Sequence, residues 1–145
     1  MAVEISLLDS GQYEKTFREF AIPYNSVRFN MLNSPKCDRV EFLLFQEEKV
    51  KIGLIGGIRD GYFLAPFSAP YTTFSFSDEN PRMEHLLNAI SLFDEHLAGS
   101  NLRGARFVLP PLCYGQHQIS KAVCAFHQSG YSVVIDENHL FYTRD

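Results

Sequence analysis

The feature that most constrains this chain is an Asp-Gly pair, Asp60-Gly61, which separates two apolar runs. Asp-Gly readily adopts the positive backbone φ angles of a two-residue hairpin turn, so the flanking runs should pair as antiparallel strands. We therefore predict strands over residues 49–59 and 62–66, joined by this turn. A preceding β-rich run at 39–46 extends the hairpin into a meander of consecutive strands.

Gly53, Gly56 and Gly57 lie inside the central strand of this meander. Glycine weakens a strand unless it marks a twist, a bulge or a place where other atoms approach the backbone closely. The simpler interpretation is a twisted or bulged strand. The functional interpretation is a groove in which a ligand or a second backbone lies close. Neither the glycine spacing nor the following sequence fits a dinucleotide-binding motif, which needs a helix directly after the glycines.

Hydrophobic periodicity predicts the other elements. Strands are expected at residues 3–8, 106–109, 131–135 and 139–143, and helices at 10–20, 25–32 and 115–128. A further long helix is expected to begin at Pro81, with Asn80 as its N-cap and Gly99 as its C-cap. The resulting order, β-α-α-β-β-β-α-β-α-β-β, predicts a single α+β domain over residues 1–145, with a mixed sheet and helices on both faces.

Composition excludes several classes of protein. A chain of 145 residues with 46% hydrophobic residues can form one domain with its own core. Its net charge of −4 argues against nucleic acid or an anionic membrane as the main partner. No apolar run is long enough to span a membrane, and the N-terminus lacks the features of a signal peptide. The 3 widely spaced cysteines favour free thiols, and hence a cytoplasmic location.

Two features carry a resemblance to a known family. The element order resembles that of GNAT-type acyl-CoA N-acyltransferases over the whole chain. More specific segments resemble the first half of bacterial tandem-domain proteins related to the Fem-type peptidoglycan aminoacyltransferases: Asn25-Ser26, Phe29-Asn30-x-Leu32-Asn33, Lys36-Cys37 and Val40, the run Ala65-Pro66-Phe67-Ser68-Ala69-Pro70-Tyr71, and Leu109-Pro110-Pro111 with Tyr114. Where that group usually has Gly-Gly-Phe, this chain has Thr72-Thr73-Phe74, so the backbone shape of this loop stays open.

The resemblance implies transfer of an acyl or aminoacyl group to an amine. In GNAT enzymes a glycine-rich loop after the fourth strand holds the cofactor pyrophosphate through backbone N–H groups at a helix N-terminus. The corresponding stretch here, residues 65–81, has no glycine and no basic residue. Its prolines remove amide donors, and Asp78 and Glu79 would repel phosphate. We therefore expect this chain to bind no cofactor itself, with acyl-CoA held, if at all, by a second domain.

Candidate binding residues lie in two loops. The loop after the hairpin alternates hydroxyls with aromatic rings, and a further tyrosine follows the fifth strand; the candidates are Phe67, Ser68, Tyr71, Thr72, Thr73 and Tyr114. In the simpler interpretation the loop packs its rings over the sheet and the last tyrosine is an ordinary surface residue. In the functional interpretation these side chains form one wall of a cleft at the strand ends and orient a polar substrate or a partner domain.

No catalytic residue and no metal site are predicted. The spacing of Cys113, His117, Cys124 and His127 matches no common zinc pattern, and a Cys-His nucleophile pair among them is no better supported. The adjacent carboxylates at residues 47–48, 78–79 and 136–137 fall in predicted turns, where charges are usually solvated.

Two hypotheses about function follow. In the first, the chain is the N-terminal half of an acyltransferase-like protein and is inactive alone, with a small amine-bearing substrate and a second GNAT-like domain or a homodimer partner. In the alternative, it is a stand-alone, non-catalytic binding or scaffold module with the same fold. A complete small acetyltransferase conflicts with the missing phosphate loop.

Overall fold

The computed structural model describes residues 3–18, 20, 22–77 and 81–135. The strands are β1 (Glu4–Leu8), β2 (Arg39–Glu47), β3 (Val50–Arg59), β4 (Tyr62–Ala65), β5 (Ser75–Phe76) and β6 (Gly104–Phe107). The α-helices are α1 (Ser10–Thr16), α2 (Val27–Leu32), α3 (Met83–Gly99) and α4 (Gln116–Gln128). Short 3₁₀ helices cover Pro23–Asn25, Ser34–Lys36 and Leu112–Tyr114. The protein is therefore of the mixed α+β class, as predicted.

The strands form one mixed sheet in the order β1-β2-β3-β4-β6, and β5 pairs with β3 beside β4. All of its pairings are antiparallel except β4 with β6, which run parallel. The long helix α3 lies between these two strands in the chain, since a parallel connection needs a crossover of that length. The carboxyl ends of β4 and β6 therefore lie side by side.

The predicted hairpin turn is confirmed. Asp60 and Gly61 have φ angles of 54° and 81°, so both central residues occupy the left-handed region. Arg59 pairs with Tyr62 directly across the turn. The predicted meander of β2, β3 and β4 is confirmed with it.

Each glycine of β3 is covered by an aromatic ring of the same chain. The pairing of β2 with β3 runs without interruption from Arg39↔Ile58 to Glu47↔Val50, so these glycines mark no bulge in that ladder. A Cβ at Gly53 would lie 2.5 Å from the Phe17 ring, and one at Gly57 would lie 2.6 Å from the Phe67 ring. Gly56 meets the Phe63 ring in the same way. The close approach anticipated from the sequence is thus made by the chain's own side chains.

The two faces of the sheet are covered by different helices. On one face, Tyr13 of α1, Phe17 at the end of that helix and Val27 of α2 pack against the sheet residues Phe42 and Ile55. On the other face, α3 and α4 pack against sheet residues; the buried helical residues there are Leu86, Ala89, Ile90, Phe93, Ala122, Ala125 and Phe126. Neighbouring residues of β2 and β3 point to opposite faces of the sheet, and each face is covered by helices. The prediction of helices on both faces is therefore confirmed.

A buried carboxylate ties α3 to the sheet. Glu41 of β2 is only 6% exposed, and its Oε1 lies 2.9 Å from Nε2 of His96 in α3. Arg39 contributes a second contact, since its Nε lies 3.2 Å from Glu41 Oε2. Because a buried carboxylate is costly unless it is paired, this contact specifies how α3 sits on β2.

The predicted strand at residues 131–135 is wrong. Tyr131 packs on Phe107 and Phe126, and the Val134 and Ile135 side chains after it are 86% and 83% exposed. No described strand is paired with this segment, and an extended segment without a ladder partner does not become a strand. The strand predicted at residues 139–143 lies outside the described residues.

Smaller differences concern element ends. The loop after β4 contains the unpredicted strand β5, which pairs with Ile52 and Gly53 of β3. Helix α3 begins at Met83 rather than Pro81 and includes Gly99, so its C-cap is Ser100. The predicted N-cap, Asn80, lies outside the described part of the chain. Strand β6 ends at residue 107, two residues earlier than predicted.

Candidate functional site

The carboxyl ends of β4 and β6 position the loops that carry the candidate residues. Beyond the strands, the Val108 amide donates to the Ala65 carbonyl at 3.0 Å. The Thr72 amide then donates to the Val108 carbonyl at 2.9 Å, which ties the loop after β4 to the end of β6. Tyr71 and Tyr114, on the loops after β4 and β6, are thereby brought to the same edge of the sheet.

Tyr24, Tyr71 and Tyr114 form a continuous row of rings, called here the tyrosine row. The ring centroids of Tyr24 and Tyr71 lie 5.3 Å apart in an edge-on arrangement. Those of Tyr71 and Tyr114 lie 5.4 Å apart. Phe29 of α2 supports the far end, with its centroid 5.0 Å from that of Tyr24. Tyr24 and Tyr71 are half-buried, whereas Tyr114 is 55% exposed, so the row forms part of the surface.

Asn25 holds the first two rings together. Its Oδ1 accepts a hydrogen bond from the Thr72 hydroxyl at 2.6 Å and another from the Thr73 amide at 3.2 Å. Asn25 and Thr72 are both only 4% exposed. Since Asn25 follows Tyr24 and Thr72 follows Tyr71, this clamp specifies the relative position of the two rings.

The first residues of the same loop bind the segment after α2. Lys36 Nζ donates to the Ser68 hydroxyl at 2.9 Å, and Ser68 Oγ lies 3.4 Å from Asn33 Oδ1. Arg59 donates to the backbone carbonyls of Lys36 and Phe67, at 3.0 and 3.3 Å. The charged side chains in these contacts, Lys36 and Arg59, are both basic.

The hydroxyl of Tyr71 acts as a hydrogen-bond donor. A hydrogen bond with the Tyr114 hydroxyl, followed by partial burial, raises the pKa of Tyr71 to about 12. At neutral pH this phenol therefore stays protonated, and its O–H donates a hydrogen bond to the Tyr114 oxygen. The O–H of Tyr114 is not used in this pair. The pair is suited to binding an acceptor group, and it supplies no base at neutral pH.

The six candidate residues have different surroundings. Phe67 is buried against Gly57, Thr72 is buried on Asn25, and Ser68 is bonded to Lys36. Tyr71 and Tyr114 come together, as the cleft hypothesis requires.

Sequence reasoning missed Tyr24, Asn25 and Lys36. The nearest signal for Tyr24 is a repeated pattern: Pro23-Tyr24 and Pro70-Tyr71 are both Pro-Tyr pairs, and Pro111 lies three residues before Tyr114.

Other chemistry in the described residues is limited. No group of at least three His, Cys, Asp or Glu side chains in the described ranges could hold a metal ion. All three cysteines are free, as predicted. Burial raises the pKa of the Cys37 thiol despite the nearby Arg59, which makes this thiol a weaker nucleophile.

Two surface depressions lie elsewhere. One, of about 290 Å³, lies between the start of α1 and α2, where Leu8 and Met31 line it. The other, of about 380 Å³, lies between α4 and residues 133–135. Neither is lined by a candidate residue. None of the helices in the described residues is long and apolar enough to cross a membrane.

Comparison with known proteins adds no relative to this description. No protein-family model, no curated protein and no solved structure matches the chain.

Proposed function

We propose that this chain forms the substrate-binding wall of a GNAT-like N-acyltransferase, which transfers an acyl or aminoacyl group to an amine. The observation that carries the proposal is the meeting of Tyr71 and Tyr114 at the adjacent carboxyl ends of two parallel strands. In open sheets with parallel strands, ligands bind outside these ends. The exposed ring and hydroxyl of Tyr114 are the part of the wall most open to a substrate.

The acyl donor is assigned to a second GNAT-like domain or to a second copy of the chain. In the loop after β4, the amides of Thr72 and Thr73 donate to Val108 and Asn25, so these donors are used within the protein. A pyrophosphate needs several free N–H groups pointing at it. This internal pairing supports the proposal that the chain itself binds no acyl-CoA.

The basic side chains near the loop also agree with an amine acceptor. A neighbouring positive charge repels an ammonium ion and disfavours protonation of an amine, so Lys36 and Arg59 would select the neutral, nucleophilic form, which a quaternary ammonium ion cannot adopt. With the Tyr71 O–H donating to Tyr114, the Tyr114 hydroxyl would orient the acceptor and leave proton removal to groups outside this wall.

The alternative is a non-catalytic binding module, and one observation favours it. The hydroxyls of Ser68 and Thr72 are committed to Lys36 and Asn25, so few polar groups of the loop remain for a substrate. A scaffold would need only the rings of the tyrosine row.

Two titrations test the proposal. A ligand at about 100 times its Kd stabilises a protein by roughly 2.7 kcal/mol, which a thermal-shift assay detects easily. We expect no such shift with acetyl-CoA or CoA. We expect a primary amine, glycinamide, to shift the amide NMR signals of residues 71–73 and 112–115. A saturable shift with acetyl-CoA would refute the assignment of the donor to another domain. No response of the tyrosine row to glycinamide would refute the substrate wall and leave the binding module.

A further inference from the structure

The tyrosine row has three properties that together indicate one class of ligand. Its rings are contiguous and partly exposed, with neighbouring centroids 5.3 and 5.4 Å apart. Its outer hydroxyl can act as a donor, because Tyr71 donates its hydrogen bond to the Tyr114 oxygen and leaves the Tyr114 O–H unused in that pair. Its loops are restricted by prolines and by internal hydrogen bonds. Such a surface combines apolar ring faces with outward hydrogen-bond donors.

The rigidity comes from proline and from internal hydrogen bonds. Pro23 and Pro70 directly precede Tyr24 and Tyr71, and Pro111 begins the turn that carries Tyr114. Proline restricts φ in each case, so little backbone entropy remains to be lost when a ligand binds. The Asn25 clamp then holds the turn of Tyr24 against the loop of Tyr71.

We propose that the tyrosine row binds an extended, proline-containing peptide in the polyproline II conformation. This peptide backbone makes no internal hydrogen bonds, so its carbonyls are free to accept from tyrosine hydroxyls while its proline rings pack on the aromatic faces. One turn of such a peptide is about 9 Å long, from three residues at a rise of about 3.1 Å. Neighbouring rings of the row, with centroids 5.3 and 5.4 Å apart, lie within reach of a peptide segment of about this length.

Other ligands for aromatic surfaces fit less well. A quaternary ammonium ion would be attracted to the ring faces, but the charged side chains that contact the Tyr71 loop, Lys36 and Arg59, are basic and would repel it. A single-stranded nucleic acid would stack on the rings, but its phosphates need a basic groove. Lys36 and Arg59 are engaged with Ser68 and with backbone carbonyls, and the chain has a net charge of −4. A peptide with proline needs no charge, and an acidic residue flanking the prolines would be attracted to Lys36.

This inference rests on the proposed function, because it names the ligand of the same wall: the acceptor amine would be carried on such a peptide. The direct test is titration of the chain with a decaproline peptide, followed by calorimetry and amide NMR. A glycine-serine decapeptide, a thymidine decanucleotide and tetramethylammonium serve as comparison probes. We expect decaproline alone to bind saturably and to shift signals of residues 24, 71 and 114.

Two variants assign the binding to the row. Tyr114→Ala should weaken decaproline binding tenfold or more, since truncation of an aromatic residue that contacts the ligand has effects of this size. Tyr62→Ala is the matched control, because Tyr62 is also exposed, at 41%, but lies at the opposite end of β4. Its affinity should stay within about twofold of the original, in line with the small effects of residues outside contact.

Each other outcome overturns a stated part of the reasoning. Equal binding of the glycine-serine peptide, preference for the oligonucleotide or tetramethylammonium, or no binding at all would overturn the inference. So would equal losses in Tyr114→Ala and Tyr62→Ala. If glycinamide shifts the row but decaproline does not, the inference alone fails. If decaproline binds but acetyl-CoA also stabilises the chain, the assignment of the acyl donor to another domain is refuted, and the peptide site is retained.

Discussion

Replacing Asn25 by alanine would remove the acceptor that holds the Tyr71 loop against the turn of Tyr24. Two donors lose their partner: the Thr72 hydroxyl, bonded at 2.6 Å, and the Thr73 amide, bonded at 3.2 Å. A buried polar group left without a partner costs about 1–3 kcal/mol. Thr72 is 4% exposed and would bear most of this cost, whereas water can reach the half-buried Thr73. We expect Asn25→Ala to lower the free energy of unfolding by about 2–4 kcal/mol.

Urea denaturation followed by circular dichroism measures this loss, and a thermal melt should show it as a fall of roughly 6–12 °C in Tm. Asn88→Ala is the matched control. Asn88 is an exposed residue of α3 whose amide reaches only Glu47, at 3.3 and 3.4 Å. Alanine is also the better helix former, so this control should change stability by no more than about 0.5 kcal/mol.

Because the clamp also positions the rings, a second consequence is expected. Asn25→Ala should weaken decaproline binding even at a temperature where the variant remains folded. If Asn25→Ala and Asn88→Ala have the same small effect on stability, the two hydrogen bonds at Asn25 do not hold the loop, and our account of how the row is built is wrong.

Two further predictions concern packing and titration. Gly57→Ala would place a methyl group 2.6 Å from the Phe67 ring, so it should destabilise the protein by about 1–3 kcal/mol in urea denaturation. Gly99→Ala, where nothing lies within 4 Å, should be neutral or slightly stabilising; equal losses in both variants would exclude ring contact as the cause. A pH titration followed by NMR signals assigned to the Tyr71 ring should find its pKa at about 12, and Tyr114→Phe should lower it toward the ordinary value of about 10. Because the unfolded form loses this proton first, the contribution of Tyr71 to stability is complete below about pH 10 and is lost as the pH rises through about 12. An unchanged pKa in Tyr114→Phe would contradict the hydrogen bond between the two hydroxyls.

The parts of the fold predicted correctly are those specified by local sequence. The Asp60-Gly61 turn needs only its own two residues to adopt positive φ angles. Helices α3 and α4 follow from apolar side chains repeated at helical spacing, and each buries that stripe against the sheet. The predictions were wrong where strand formation depends on a pairing partner elsewhere in the chain. Residues 131–135 are rich in β-branched side chains, yet no described strand pairs with them. The two-residue strand β5 forms because β3 offers an edge beside it.

The glycines of β3 also show that sequence alone does not identify contacts between residues that are distant in the chain. Their positions allowed either a twisted or bulged strand or a groove for a ligand or a second backbone; the β2–β3 ladder has no bulge, and aromatic rings of the chain itself approach Gly53, Gly56 and Gly57. Which atoms approach could not be read from the chain. Phe17 and Phe67 lie on opposite sides of the strand in sequence, and only folding brings both onto the same sheet face.

What the sequence by itself determined is the four described α-helices, the strands of the meander, the hairpin register and the presence of tyrosines and hydroxyls in the two loops. Each of these depends on residues near one another in the chain, where turn chemistry and periodicity act. The tertiary structure alone decided that Tyr24 joins the row. It alone also decided that Asn25, 47 positions before Thr72, accepts a hydrogen bond from the Thr72 hydroxyl. Contacts across such separations depend on how the helices and loops pack around the sheet, because only the assembled fold brings these residues within hydrogen-bonding distance.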